Sequence, residues 1–287
     1  GRKSRVGRKR ECPDIIVFLL IDEPMLPKGE SRMNTTIYAS TSGQGPDVLL
    51  LHGLFGQGSN LRAIGRALEG EFRVHCLDLP DHGRSVWLDK ASLSQYAQAI
   101  VLWMSESGIT SAHVVGHSLG GKVAMQLALS HAPLVNRLVV ADIAPVAYAG
   151  QHTSVFDALQ QVVEAGCQSR QAADEILAGL IEDPGVRGYL LMALERREGT
   201  YDWRFNVQGL LRGYDQLRAA PDFDQVFTGQ TLFLRGADSD YVRAEHEIIM
   251  KQWFTESHMV SLAGAGHWLH VDQPEAFCDQ VRRHFRG

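Results

Sequence analysis

Cysteine and proline are both scarce in this sequence of 287 residues, which contains four cysteines and ten prolines. The cysteines lie far apart and form no CxxC pair, which excludes a disulfide scaffold and gives no indication of a metal site. Unpaired thiols are typical of a reducing compartment, so the sequence predicts a cytoplasmic protein. With 45% hydrophobic and 21% charged residues, the chain is neither collagenous nor disordered.

Long apolar runs are also missing from the basic N-terminal region. Its one apolar run, residues 15–21, has seven residues, far fewer than the roughly 20 needed to span a bilayer. Asp22-Glu23-Pro24 follows instead of a signal cleavage site. We interpret residues 1–32, with a net charge of +3, as a non-native or disordered extension before a start at Met33. The remaining chain carries a net charge of −8, which disfavours nucleic acid as a binding partner and also disfavours insertion into a membrane.

From Met33 onward, short apolar runs alternate with amphipathic segments, as expected for buried parallel strands joined by helices. The sequence therefore predicts the α/β class, with a mostly parallel sheet flanked by helices. Strands are predicted at 34–38, 48–51, 72–77, 112–116, 137–142, 230–235 and 257–262, and helices at 59–69, 92–107, 119–131 and 274–286.

Between Pro145 and Asp224 the strand pattern gives way to helical spacing, with Gly and Pro breaks that indicate about four helices. This predicts a helical cap, residues 149–223, inserted between two parts of one core domain, residues 33–148 and 224–287. Oligomeric state does not follow from these patterns.

Gly116-His117-Ser118-Leu119-Gly120 stands between a predicted strand and a predicted helix. G-x-S-x-G in this context is typical of a nucleophile elbow, where small neighbours let the chain turn sharply and expose the serine. The same segment reads G-x-x-x-x-G-K, but Val123 occupies the place where a phosphate-binding loop needs Ser or Thr. The sequence therefore favours Ser118 as a nucleophile over a nucleotide site.

Two further glycine-rich segments supply partners for Ser118. In His52-Gly53-Leu54-Phe55-Gly56 we expect the N–H of Leu54 to form an oxyanion hole with that of Leu119, and His52 to brace the loop. In Gly264-Ala265-Gly266-His267-Trp268, His267 follows the last strand and suits a general base, with His270 as a weaker substitute.

A carboxylate must orient that histidine, and spacing alone leaves three aspartates open. Asp142 follows the strand after the nucleophile helix. Asp238 and Asp240 follow the strand at 230–235.

From Met33 to its end the chain resembles the α/β-hydrolase superfamily and, within it, the bacterial YbfF-type esterases. The resemblance rests on the elbow, the two glycine-rich segments, Asp142-Ile143-Ala144-Pro145-Val146 and Trp203-Arg204-Phe205-Asn206. It implies a capped serine esterase that needs no cofactor or metal and hydrolyses small carboxylic esters, with acyl-CoA thioesters as a second class. It also implies Asp142 as the acid, Ser239 as its assistant and Tyr241 as a substrate contact, beside which we expect Phe55.

The chain departs from that family in two places. The family has no acid matching Asp238 and Asp240, and it holds substrate with an arginine where this chain has Gln151-His152. The second departure favours simple esters over anionic acyl-CoA. Two alternatives share the same fold, a carbon–carbon bond hydrolase and a non-catalytic binding protein.

Overall fold

A computed structural model describes residues 37–150, 152–222 and 225–287. The predicted extension, residues 1–32, lies outside these described residues. Within them the strands are β1 (Ala39–Ser42), β2 (Asp47–Leu51), β3 (Arg73–Leu77), β4 (Ala112–His117), β5 (Val135–Ala141), β6 (Leu194–Arg197), β7 (Thr200–Trp203), β8 (Thr231–Gly236) and β9 (Ser257–Leu262). The α-helices are α1 (Arg62–Leu68), α2 (Leu93–Glu106), α3 (Leu119–Ser130), α4 (Thr153–Glu164), α5 (Arg170–Ala178), α6 (Pro184–Leu191), α7 (Val207–Arg218), α8 (His246–Trp253), α9 (Leu269–Asp272) and α10 (Pro274–Arg286).

Seven of the described strands form one sheet in the order β1-β3-β2-β4-β5-β8-β9. β1 pairs antiparallel with β3, and the other pairings are parallel. Alternate residues of β2 enter different cores: Leu49 and Leu51 pack with α2 and α3, whereas Val48 and Leu50 pack with α1 and α10. Apolar side chains on both faces explain why the central strands read as continuous hydrophobic runs. The predicted α/β class, with a mostly parallel sheet flanked by helices, is confirmed.

Parallel strands bring the loops at their carboxyl ends to one edge of the sheet. β2, β4, β5, β8 and β9 lie side by side in the sheet. The segments that follow them carry Leu54, Ser118, Asp142, Ser239 and His267. The topology therefore gathers the predicted site residues from five separate parts of the sequence.

The chain between β5 and β8 forms what we call the inserted segment, residues 153–218, with helices α4 to α7. It also contains an antiparallel hairpin, β6 and β7, so the expectation that no strand lies between Pro145 and Asp224 is wrong. The hairpin turn is Glu198-Gly199, and both residues have positive φ, as a type I′ hairpin turn requires. Gly199 thus closes a hairpin, whereas the sequence indicated only a helix break.

Other elements also differ from the sequence prediction, among them the short helix α9, which was not predicted. Of the predicted strand 34–38 only Ile37 and Tyr38 are described; neither lies in a strand, and β1 begins at Ala39. Its exposed, polar sequence ASTS suits an antiparallel edge strand and carries little apolar signal. Helix α8 was not predicted, since Met250 is its one buried residue and most of its surface is solvated. None of the described helices is long and apolar enough to cross a membrane.

Candidate active site

Ser118 occupies a sharp turn between β4 and α3. Its φ is 52° and its ψ is −117°, and its N–H donates to the carbonyl of Ala141 over 3.0 Å. A Cβ on Gly116 would lie 2.2 Å from the carbonyl oxygen of Gly120, and one on Gly120 would lie 2.2 Å from that of Leu51. Only glycine fits at either position. The elbow predicted from the motif is therefore present, and it leaves Ser118 half-buried at the cavity surface.

Ser118, His267 and Asp142 form a hydrogen-bonded chain. Oγ of Ser118 lies 3.0 Å from Nε2 of His267, and Nδ1 of His267 lies 2.8 Å from Oδ2 of Asp142. Asp142 is fully buried. The N–H of Gly236 donates to its Oδ1 over 2.9 Å, and the hydroxyl of Ser239 donates to its Oδ2. These donors compensate a carboxylate that has no access to water.

The other candidate acids and the other candidate base lie differently. Asp238 and Asp240 flank the buried Ser239, but their own side chains are exposed. His270 packs its ring against those of His117 and Phe277. Burial lowers the pKa of His270 to about 4. The structure thus brings Asp142 and His267 to the serine and leaves the alternatives outside the chain of hydrogen bonds.

The loop that follows β2, residues 52–56, is braced by two buried histidines. His52 donates from Nδ1 to the carbonyl of Gly53 and accepts at Nε2 from the N–H of Leu79. His82 donates from Nδ1 to the carbonyl of Pro80 and accepts at Nε2 from the N–H of Phe55. Burial lowers the pKa of His52 to about 4 and that of His82 to about 3. Both rings are therefore neutral braces at pH 7, the role expected for His52.

A cavity of about 320 Å³ opens beside Ser118. Leu54 and Leu119, the expected oxyanion donors, line it next to the serine, and so do Phe55 and Tyr241, the expected substrate contacts. The Tyr241 ring is stacked on that of His267, with centroids 3.9 Å apart. Helices of the inserted segment contribute much of the lining, through Val155, Val186, Tyr189, Leu190 and Tyr214. This is a largely apolar space of the size that a small ligand needs.

Two positioning contacts were missed from the sequence. Nε2 of His117 donates to the carbonyl of His267 over 2.8 Å, which holds the loop after β9 against the end of β4. The hydroxyl of Tyr148 accepts from the N–H of Ala144 and donates to the carbonyl of Tyr241, each over 2.8 Å. His117 lies inside the elbow motif, but only the fold shows which loop its ring reaches.

No group of three or more His, Cys, Asp or Glu side chains in the described part of the chain is arranged to hold a metal ion. The described cysteines, Cys76, Cys167 and Cys278, are free and buried. The site therefore consists of hydroxyl, imidazole and carboxylate groups beside an apolar cavity.

The sequence profile of the alpha/beta hydrolase family matches residues 48–280. The sn-1-specific diacylglycerol lipase ABHD11 of Mus musculus is 34% identical over 244 residues, which cover 82% of this chain and 80% of the mouse protein. Esterase YbfF of Escherichia coli K12 is 32% identical over 241 residues, which cover 83% of this chain and 92% of the Escherichia coli protein. The solved structure of a marine microorganism esterase is 30% identical, with a TM-score of 0.84, and covers 87% of this chain and 99% of that one.

Proposed function

This chain belongs to the alpha/beta hydrolase family and is a carboxylic ester hydrolase, and we propose that it works through an acyl-enzyme on Ser118. The observation that carries the proposal is the chain of hydrogen bonds from Ser118 through His267 to the buried Asp142. The hydroxyl of Ser118, at one end of this chain, lies at the surface of an apolar cavity. An isolated serine is a weak nucleophile, and a base oriented by a third group is what activates it.

In the proposed reaction, Nε2 of His267 takes the proton of the Ser118 hydroxyl as Oγ attacks the ester carbonyl. Asp142 stabilises the imidazolium that forms, and Ser239 and the N–H of Gly236 hold its carboxylate in place. The N–H groups of Leu54 and Leu119 bind the developing oxyanion. His267 then protonates the departing alcohol, and a water molecule that it deprotonates releases the acid from the acyl-enzyme.

The cavity favours an ester with an uncharged acyl group. His152 stands where the resembled family has a substrate-binding arginine, and its Nδ1 lies 2.5 Å from the hydroxyl of Tyr214. Burial lowers the pKa of His152 and leaves it neutral at pH 7. Arg218 also lines the cavity, but its guanidinium pairs with Asp215 at 2.8 Å. Simple esters are therefore the proposed substrates, ahead of acyl-CoA thioesters.

The proposal extends to the inserted segment and to the compartment. Side chains of α4, α6 and α7 line the cavity, so residues 149–223 act as the cap that selects the acyl group, against the wall formed by Phe55 and Tyr241. The free, buried cysteines suit a reducing compartment, and we place the protein in the cytoplasm.

The decisive experiment compares Ser118→Ala with Ser105→Ala, which removes an exposed hydroxyl from α2. Turnover of p-nitrophenyl esters should fall by roughly 10⁴-fold or more in the first variant and stay unchanged in the second. A fluorophosphonate should label the wild type and Ser105→Ala but not Ser118→Ala, while all three melt alike. Near-normal turnover or labelling in Ser118→Ala contradicts the assignment.

A second assay series tests the substrate class. Wild-type protein is given esters and CoA thioesters of matched acyl length, together with a β-diketone. Higher kcat/KM for the esters supports the proposal. A higher kcat/KM for the thioesters contradicts the proposal that simple esters are preferred to acyl-CoA thioesters. A higher kcat/KM for the diketone contradicts ester hydrolysis as the main reaction and favours carbon–carbon bond cleavage.

A further inference from the structure

The Gly121-Lys122 pair that imitates a phosphate-binding loop places its lysine in an unusual position. Lys122 is the fourth residue of α3, one turn from Ser118, and it is only 3% exposed. Its Nζ donates to three backbone carbonyls: Val146 at 2.7 Å, Ala219 at 2.5 Å and Arg218 at 3.3 Å. An ammonium group has three donors. Every one of them is thus matched to an acceptor inside the protein.

Those carbonyls lie on the two connections of the inserted segment. Val146 belongs to the chain that leaves β5 for α4, whereas Arg218 ends α7 and Ala219 caps it. The connections also bond to each other, because the N–H of Tyr148 donates to the carbonyl of Arg218 over 2.9 Å. A single side chain therefore ties both ends of the inserted segment to α3, the nucleophile helix.

Local electrostatics explain why a lysine serves here. The last carbonyls of a helix lack intrahelical partners and carry partial negative charge, so they favour a cation. Nζ also lies 5.0 Å from the centre of the Tyr148 ring, at cation–π distance. Burial opposes the charge and lowers the pKa of Lys122 to about 7. A neutral amine would still donate two hydrogen bonds, so the connection does not depend on the charge alone.

We propose that Lys122 is a positioning residue that fixes the acyl-binding wall by holding both connections of the inserted segment against α3. Lys122 itself borders the cavity, as do Tyr148 and Leu217, and each of these two lies within two residues of a carbonyl that Lys122 binds. If these contacts are lost, that wall moves relative to Ser118. Binding of long acyl chains should then weaken, while the reacting groups, held by β4, β5 and β9, keep their geometry.

This inference rests on the proposed function, and the test uses Lys122→Met, which keeps an apolar stem and removes every donor. Gln126→Met is the matched control. Gln126 is also buried on α3, and its side-chain oxygen accepts from the N–H of Asp222, which is not among the cavity-lining residues. Both variants lose one buried polar anchor from the same helix, and only the first affects both connections. Lys122→Arg retains a donor and serves as the conservative variant.

For Lys122→Met we expect a KM about tenfold higher for octanoyl esters, a kcat for acetyl esters within threefold of wild type, and faster amide exchange in residues 143–150 and 210–222. Gln126→Met should keep the wild-type chain-length profile, and Lys122→Arg should recover part of it. An unchanged profile and unchanged exchange in a folded Lys122→Met protein overturn the inference. Equal losses for every ester, matched by Gln126→Met, would mean a general stability role and overturn it too. If the proposed function itself failed, wild-type protein would already lack fluorophosphonate labelling, whereas the exchange comparison would remain valid.

Discussion

Ser239 donates its hydroxyl hydrogen bond to Oδ2 of Asp142, the same oxygen that lies 2.8 Å from Nδ1 of His267. The N–H of Gly236 binds the other oxygen. Because the carboxylate is fully buried, each donor replaces a lost contact with water and helps to hold the carboxylate oriented towards the histidine. Ser239 thus acts on Ser118 indirectly, through Asp142 and His267.

Removal of the Ser239 hydroxyl should slow ester hydrolysis without stopping it. A hydrogen bond to a charged group contributes about 1.5–3 kcal/mol, so Ser239→Ala should lower kcat roughly 10- to 100-fold on a p-nitrophenyl ester. Ser261→Ala, which changes an exposed serine of β9, is the control and should be neutral. A kcat equal to that of wild type, or as low as that of Ser118→Ala, would contradict the assisting role.

The three candidate acids can be ranked by the same assay. Asp142→Asn removes the acceptor that fixes the tautomer of His267, and such a loss costs about 10⁴ in kcat in another serine triad. Asp238→Asn and Asp240→Asn change exposed side chains and should cost less than threefold. All three substitutions are nearly isosteric, so folding differences are controlled by comparing their melting curves. A larger loss in either exposed variant would reassign the acid.

The nucleophile and the base are predictable because their signals are local. Gly116, Ser118 and Gly120 lie within five residues, and the steric limits on that turn hold in any protein that makes it. His267 is marked by flanking glycines and by its place after the last strand. The acid is not predictable in this way: spacing leaves Asp142, Asp238 and Asp240 open, and the preference for Asp142 comes from family resemblance.

Other features escape the sequence because they depend on long-range contacts or on solvated surfaces. Lys122 reads as one residue of an apolar helix, and its partners lie 24 to 97 positions away. The β6 and β7 hairpin has charged strands of four residues, without the apolar alternation that predicts a strand. Helix α8 buries only Met250. The buried strands and the amphipathic helices, whose patterns are written in consecutive residues, are predicted at nearly their observed positions.

The neutral histidines that brace the loop after β2 predict acid sensitivity. His52 and His82 have pKa values of about 4 and 3 in the folded protein, whereas an unfolded chain binds these protons near pH 6.5. Between those values the unfolded state holds more protons, so stability is full above pH 6.5 and falls as the pH decreases. A pKa lower by one in the folded state corresponds to about 1.4 kcal/mol, and the two rings together should remove several kcal/mol by pH 4.

Urea unfolding measured from pH 8 to pH 4 tests this expectation. The slope of the unfolding free energy against pH measures how many protons the protein takes up when it unfolds. In a folded His82→Gln protein this number should be lower by about one. Gln252→Ala, which changes an exposed and non-titrating residue of α8, is the control and should keep the wild-type slope. A His82→Gln slope identical to wild type would show that this ring is not the group that titrates.

The last prediction concerns Gly120, the small residue that lets α3 approach β2. An added Cβ would lie 2.2 Å from the carbonyl oxygen of Leu51 and 2.6 Å from that of His52. Both neighbours are backbone atoms at the end of a central strand, so they cannot move aside as a flexible side chain would. Gly120→Ala should therefore destabilise the protein by several kcal/mol, within the upper range for overpacked cores, and displace the loop that carries Leu54.

Gly188→Ala is the matched control: Gly188 is exposed in α6, with nothing within 4 Å of its added Cβ. Alanine there should stabilise the helix by roughly 0.5–1 kcal/mol. Chemical denaturation of both variants gives the comparison, and a Gly120→Ala protein as stable as wild type would mean that the elbow does not require a glycine beside the strand.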